Sequence, residues 1–322
     1  MRIERRHPWL RLVQFVVTIG LIVLLFGKVE WSGFLHLAST LRWEFVGLSM
    51  GFLLMSHLIN VARWQYLSQQ NEIGYGRLLV FYGAGLLGNH FLPTGIGGDG
   101  TRALLLSRFI PLPQALSSVV LDRAIGLLAL TALVVLGLWL GVPPGLRRDG
   151  PFTTSSEWNV SLVLLLIAGG SVLGFIGWRK LLRIRAALQD RSSRWASFQS
   201  VLRRTSGRWL RILGGGYGLS IVSHLGIVAA HWTVFQALGM DISLDAAIWL
   251  VLAGTASLLL PITINGLGLQ ESVYVLLLAH YEVSATIALG VALLMRMLMI
   301  FLSLLGGSLS LTRGLFKREV QQ

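Results

Sequence analysis

At 322 residues, with 54% apolar and only 13% charged side chains, the chain is too apolar for a soluble domain of its size. Cysteine is absent, which excludes disulfides, thiolate metal sites and thiol catalysis. The net charge of +13 invites a nucleic-acid reading, but the basic residues gather in short stretches between apolar runs, as the positive-inside rule requires of a membrane protein.

In chain order, residues 2–11 carry Arg2, Arg5, Arg6 and Arg11 against Glu4. The first apolar run, 9–26, follows; it is too long for a secretory leader and Gly27-Lys28-Val29-Glu30 offers no small-residue cleavage site, so it reads as a retained span. The second run is 44–62. Arg63 and Trp64 come at its inner end, where snorkelling at the interface accounts for both. Residues 78–92 and 103–110 form a pair of short apolar arms interrupted by Gly, Pro and polar residues, a broken or re-entrant helical hairpin. Long spans follow at 112–140 and 158–178, since about 20 apolar residues cross a bilayer. Residues 179–208 form a basic amphipathic linker suited to an anionic inner leaflet; residues 179–211 hold ten basic side chains against the single Asp190. A span at 209–238, a second broken hairpin at 246–261 with 272–280, and a last span at 283–311 complete the chain. The expected fold is an all-α polytopic membrane protein, one transmembrane domain over 1–322. It has six full spans and two broken or re-entrant hairpins, with both termini cytoplasmic.

The two halves echo each other. Ser56–Trp64 reads SHLINVARW and Ser223–Trp232 reads SHLGIVAAHW. A Leu-Pro follows 36 residues after His57, at Pro93, and 37 after His224, at Pro261; each proline leads into a Gly-rich polar stretch and then an acid, Asp99 or Glu271. From acid to arginine is 24 residues in one half (Arg123) and 25 in the other (Arg296). Repeat one is 43–141 and repeat two 209–312. The corresponding spans run in opposite directions, which is the inverted-repeat plan in which broken helices meet near the midplane around a substrate site.

Non-helical backbone at membrane depth must line a wet or protein-walled cavity. Pro93 ends the incoming arm of the first hairpin, Gly97 and Gly98 allow the turn, and a helix beginning near Asp99 or Gly100 would aim its N–H groups at an anion. Asp99 suits an N-cap, with Arg102 as its i+3 partner. Pro261, Asn265, Gly266 and Gly268 repeat the arrangement, with Glu271 just inside the outgoing helix. Asp122, Arg123 and Arg296 stand mid-span, where charges are costly and usually functional. Asp122 and Arg123 point about 100° apart on a helix, so they should not pair with each other; Arg123 is expected to meet Asp99 or a lipid anion, and Arg296 to meet Glu271. His57 and His224 are proton carriers or, more simply, hydrogen-bonded packing residues.

Gly95, Gly97 and Gly100 satisfy G-x-G-x-x-G, but no strand precedes them and no βαβ unit encloses them, so a dinucleotide is not implied. P-loop, H-E-x-x-H and G-x-S-x-G motifs are absent. No cofactor, metal or catalytic residue is expected, nor an enzyme.

The segments ARW (62–64), GNHFLPTGIGGDGTRALLLSR (88–108), SSVVLDRAIGLL (117–128), LPITINGLGLQESVYVLLL (260–278) and LLMRM (293–297) resemble the transmembrane region of lysylphosphatidylglycerol synthases and the stand-alone flippase-like proteins that share it. The resemblance covers residues 9–312. It implies a region that moves a lipid between leaflets of a bacterial-type inner or plasma membrane, with synthesis of the aminoacyl lipid left to a separate soluble domain or enzyme, which this sequence does not contain. The positions that match are Pro93, Gly97, Gly98, Asp99, Arg102, Asp122, Arg123, Pro261, Gly266, Gly268, Glu271 and Arg296. The expected function is therefore translocation of an anionic or aminoacylated phospholipid, or a related lipid. Two alternatives remain open: an ion-coupled transporter of a small solute, and an accessory membrane protein or enzyme of envelope glycolipid assembly.

Overall fold

The computed structural model describes residues 8–27, 37, 39–69, 72–91, 97–140, 209–257 and 263–312. The span expected at 158–178, the basic linker 179–208, Pro93 and Pro261 lie outside the described residues. All regular structure among the described residues is helical. In chain order the helices are α1 (Pro8–Phe26), α2 (Trp43–Ser68), α3 (Tyr75–Phe91), α4 (Gly97–Leu106), α5 (Leu112–Leu140), α6 (Trp209–Ala237), α7 (Leu244–Ser257), a 3-10 turn (Ile264–Gly266), α8 (Leu269–Ala279) and α9 (Ala285–Thr312).

Four of these, α2, α5, α6 and α9, are long and apolar enough to cross a membrane. A helix of 26 residues such as α2 reaches about 39 Å at 1.5 Å per residue, more than the roughly 30 Å hydrocarbon layer. Helices α3, α4, α7 and α8, of 17, 10, 14 and 11 residues, are each shorter than a span, as the interrupted apolar arms require. The order long, short, break, short, long therefore occurs twice, as α2 to α5 and as α6 to α9. Large apolar side chains such as Leu54, Met55, Leu225, Met297 and Phe301 face outward, where lipid rather than water solvates them.

Small residues let the helices approach, the usual substitute for hydrophobic collapse inside a bilayer. α2 and α6 lie together along Ser49, whose hydroxyl donates to the Ala230 carbonyl at 3.0 Å, and Ser223, which donates to the Ser56 carbonyl at 3.3 Å. α3 crosses α9 at Gly83 and Gly306, where a Cβ on Gly83 would come within 2.6 Å of the Gly306 backbone. Two apolar cores form. One lies within the first half and gathers Val61, Leu78, Phe81 and Leu106; the other joins Leu53 of α2 to Phe235, Leu250 and Val291 of the second half.

Helix α4 starts at Gly97, earlier than the Asp99 or Gly100 start expected from sequence, and Asp99 is not its N-cap. The reason lies in the neighbouring helix. Gly85 and Gly98 bring α3 and α4 into backbone contact, and Asn89 of α3 accepts the Gly98 N–H at 2.9 Å. With the helix start capped from outside, Asp99 sits within the first turn and its carboxylate is left for other partners.

Candidate functional site

The first-half site is built around Asp122, which projects from mid-α5 and is 1% exposed. One carboxylate oxygen accepts Arg63 Nε at 2.8 Å and the other accepts Arg102 Nη2 at 3.0 Å. A single buried anion thus serves two guanidiniums. Arg63, from α2, also donates through Nη1 to Ser220 Oγ of α6 at 3.0 Å, which ties the two halves together. Arg102 is sandwiched between aromatic faces, with its guanidinium carbon 4.2 Å from the Trp64 ring centre and 4.9 Å from that of Tyr82. Trp64 Nε1 donates to Ser118 Oγ at 3.2 Å. The rim of the cluster is Asp99, 3.6 Å from Arg102 and bonded to Arg123 Nε at 2.7 Å.

Adjacent Asp122 and Arg123 do point apart: their side chains are 2% and 51% exposed and they bind different partners. Arg123 meets Asp99, and Arg296 meets Glu271. The snorkelling reading of Arg63 and Trp64 is corrected. α2 continues to Ser68, five residues beyond Arg63, and both side chains are buried. Helical side chains tilt toward the N-terminus, so Arg63 is carried back into the membrane interior, where Asp122 neutralises it.

In the second half, Arg296 of α9 donates through Nε to Glu271 at 2.5 Å and through Nη2 to Gln270 Oε1 at 3.3 Å. The other Glu271 oxygen accepts the Gly268 N–H at 2.8 Å, the return arm of a capping box. The approach to α8 needs left-handed backbone at three positions: Asn265 has φ 51°, Gly266 φ 70° and Gly268 φ 79°. Asparagine and glycine are the residues that adopt it at little cost. Gly268 also faces Leu21 of α1 so closely that a Cβ would stand 2.6 Å away.

His231, Tyr274 and Gln270 extend this network and were not singled out from the sequence. His231 Nδ1 lies 2.8 Å from the Ile227 carbonyl and Nε2 lies 2.6 Å from the Tyr274 hydroxyl. The carbonyl can only accept, so Nδ1 carries the proton and Nε2 receives the Tyr274 O–H in the neutral ring. Gln270 Nε2 donates to the same hydroxyl at 3.4 Å. One signal could have found His231 and Arg63 together: both stand one residue before the tryptophan in the paired segments SHLINVARW and SHLGIVAAHW. The two histidines singled out from the sequence each have a hydrogen-bonding neighbour. His57 Nδ1 is 3.2 Å from the Tyr82 hydroxyl, and His224 Nδ1 is 2.7 Å from the Ser220 carbonyl.

Both networks face one cavity of about 370 Å³, with Asp99, Arg102 and Arg123 on one side and Asn265, Gln270 and Arg296 on the other. Asp122, His57 and His224 also line it. Gly97, Gly98, Gly266 and Gly268 are not among the lining residues, and Glu271 reaches the cavity through Arg296, to which it is paired. Of the helix-start N–H groups expected to face an anion, the Gly98 N–H is taken by Asn89 and the Gly268 N–H by Glu271. The charged groups placed to meet an anion are guanidiniums. Among the described residues the cluster holds four of them, Arg63, Arg102, Arg123 and Arg296, against three carboxylates, Asp99, Asp122 and Glu271. With Arg63 buried, the cluster carries one positive charge in excess. The half-exposed Arg123 offers a planar fork matched to phosphate oxygens.

A family model described as the lysylphosphatidylglycerol synthase TM region matches residues 11–307. No curated protein and no solved structure matches the chain.

Proposed function

This chain belongs to the family of the lysylphosphatidylglycerol synthase TM region, and from that premise we propose that it translocates a phospholipid between leaflets without making or breaking covalent bonds. It is a membrane protein of a lipid-related family. The observation that carries the finer reading is the convergence of both broken hairpins on one cavity, each bringing an acid that pairs with an arginine of the long helix that follows it: Asp99 with Arg123 of α5, and Glu271 with Arg296 of α9.

A lipid head group is costly to move through hydrocarbon because its charge loses water. A cavity of about 370 Å³ fits a head group while the acyl chains remain in lipid. Arg123 receives the phosphate, and Asp99 holds Arg123 when the site is empty. The second pair offers the next station for the same phosphate. On this reading the halves form an inverted repeat, so one hairpin opens to each leaflet, with both termini cytoplasmic.

Reconstitution into liposomes containing labelled anionic or aminoacylated phospholipid tests the proposal. Head-group movement faster than in protein-free vesicles is expected; a rate equal to theirs for every lipid sinks it.

A further inference from the structure

Resting on the lipid-translocator reading of the same cavity, we infer that Asp99 is a carboxylate with two seats. It holds Arg123 until a phosphate arrives there and then closes on Arg102, so that it competes with the head group and sets its release. The second seat is visible as a pair of orphaned atoms. Asp99 Oδ1 and Arg102 Nε are both sealed from solvent, and neither has a hydrogen-bond partner among the described residues. Buried polar atoms are nearly always paired. One of these is an acceptor and the other a donor, on side chains three residues apart along α4, so each residue carries the partner that the other lacks.

The separation says why they are not joined. Oδ1 lies 3.6 Å from Arg102 Nη1, about 0.7 Å beyond an ordinary hydrogen bond, because Oδ2 is drawn to Arg123 Nε at 2.7 Å. Arg102 is the fixed member, packed between Trp64 and Tyr82 and bonded to Asp122 at 3.0 Å. Asp99 is the member able to turn. Arg123 is half exposed and engaged through Nε, which leaves its Nη fork to phosphate oxygens. A phosphate there draws on the same guanidinium and repels Asp99, and the carboxylate moves to the cation beside it. The second half has no such device. Both oxygens of Glu271 are committed, to Arg296 and to the Gly268 N–H, and Arg296 is 13% exposed against 51% for Arg123.

Purified full-length protein in neutral detergent is titrated with dioctanoyl-phosphatidylglycerol and with the soluble sn-glycerol 3-phosphate, and affinity is read by calorimetry. Asp99→Asn keeps the shape of the side chain and removes the competitor. It is expected to bind phosphatidylglycerol about tenfold more tightly than wild type, yet to move it more slowly in proteoliposomes, because a translocation site must also let go. A merely structural lesion weakens both. Unchanged or weaker binding by the folded variant overturns the inference. Glycerol 3-phosphate binding as tightly as phosphatidylglycerol, with the same response to Asp99→Asn, keeps the role of Asp99 and discards the lipid as ligand. A wild-type protein that moves no lipid removes the translocator reading, while the affinities still decide what Asp99 does.

Arg102→Met tests the second seat. It leaves each acid one guanidinium: Asp122 with Arg63, Asp99 with Arg123 and Glu271 with Arg296. Alone it is expected to weaken phosphatidylglycerol binding about tenfold, because a displaced Asp99 then has no cation to move to; combined with Asp99→Asn it should change affinity little, the signature of two residues that act through each other. An equal loss in both backgrounds assigns Arg102 a role by charge alone and overturns the second seat. The wild type supplies a check free of any variant. In a structure with dioctanoyl-phosphatidylglycerol bound, the phosphate is expected on Arg123 and Asp99 within hydrogen-bond distance of Arg102; Asp99 still on Arg123 Nε beside a bound phosphate overturns the inference.

Discussion

At the scale of single residues, Asp122 matters through the number of partners it neutralises. Breaking a buried ion pair by removing one partner costs about 3–5 kcal/mol, and Asp122→Asn strands two buried guanidiniums at once. Arg63→Met leaves Asp122 still bonded to Arg102 and keeps the apolar stem, so it should cost less. Melting temperatures of the detergent-purified variants are expected to fall in the order wild type, Arg63→Met, Asp122→Asn. Arg123 is different in kind. Its side chain is 51% exposed, and an exposed pair contributes about 0–1 kcal/mol to stability, so Arg123→Ala is expected to insert and melt nearly as wild type yet lose lipid movement in proteoliposomes. Arg296→Ala should lose movement too, with a larger fall in melting temperature, because it strands the buried Glu271. Near-normal transport in both variants would reduce these arginines to structural pairs. Asp122, Arg123 and Arg296 were visible in the sequence as charges inside apolar runs, and Asp99 and Glu271 as the acids that follow the two Leu-Pro breaks. Arg63 was not, because it stands where an apolar run ends and either an interfacial or an inward direction was physically open to it.

At the scale of elements, glycines decide where the broken helices can go. A Cβ on Gly83 would meet the Gly306 backbone, which has no flexible end to give way. Gly83→Val is therefore expected to push α3 off α9 and destabilise the protein by about 1–3 kcal/mol, the usual cost of overpacking. Gly100→Ala has open space and serves as the control; a Gly83→Val protein melting at the Gly100→Ala temperature would refute the close crossing. Asn265 tests the other hairpin. Its φ of 51° costs a β-branched residue about 1–2 kcal/mol and glycine little, so Asn265→Val should melt well below Asn265→Gly. The Pro/Gly-rich breaks were plain in the sequence, as were the long helices α2, α5, α6 and α9 to within a few residues. The start of α4 was not: its cap comes from Asn89 on another helix, and local sequence cannot announce an acceptor that arrives through tertiary contact.

At the scale of the whole molecule, the proposed inverted repeat puts the two hairpins on opposite sides of the membrane. The absence of cysteine makes this testable without a background. Gly100→Cys occupies open space, and Asn265→Cys replaces a residue that already carries a side chain on the cavity wall. A membrane-impermeant thiol reagent is expected to label the first from the cytoplasmic side and the second from outside; labelling of both from one side would overturn the inverted arrangement. By itself the sequence determined the membrane class, the family, the two broken hairpins and the identity of most buried charges. It could do so because an apolar run, a glycine turn and a charge in hydrocarbon are each costly or favourable wherever the chain later folds. Only the tertiary structure decided the partners: Arg63 turned inward onto Asp122, Arg102 held between Trp64 and Tyr82, His231 joined to Tyr274, and the helix starts capped by Asn89 and Glu271. Those choices depend on side chains meeting at a few ångströms across separate helices, which no local stretch of sequence specifies.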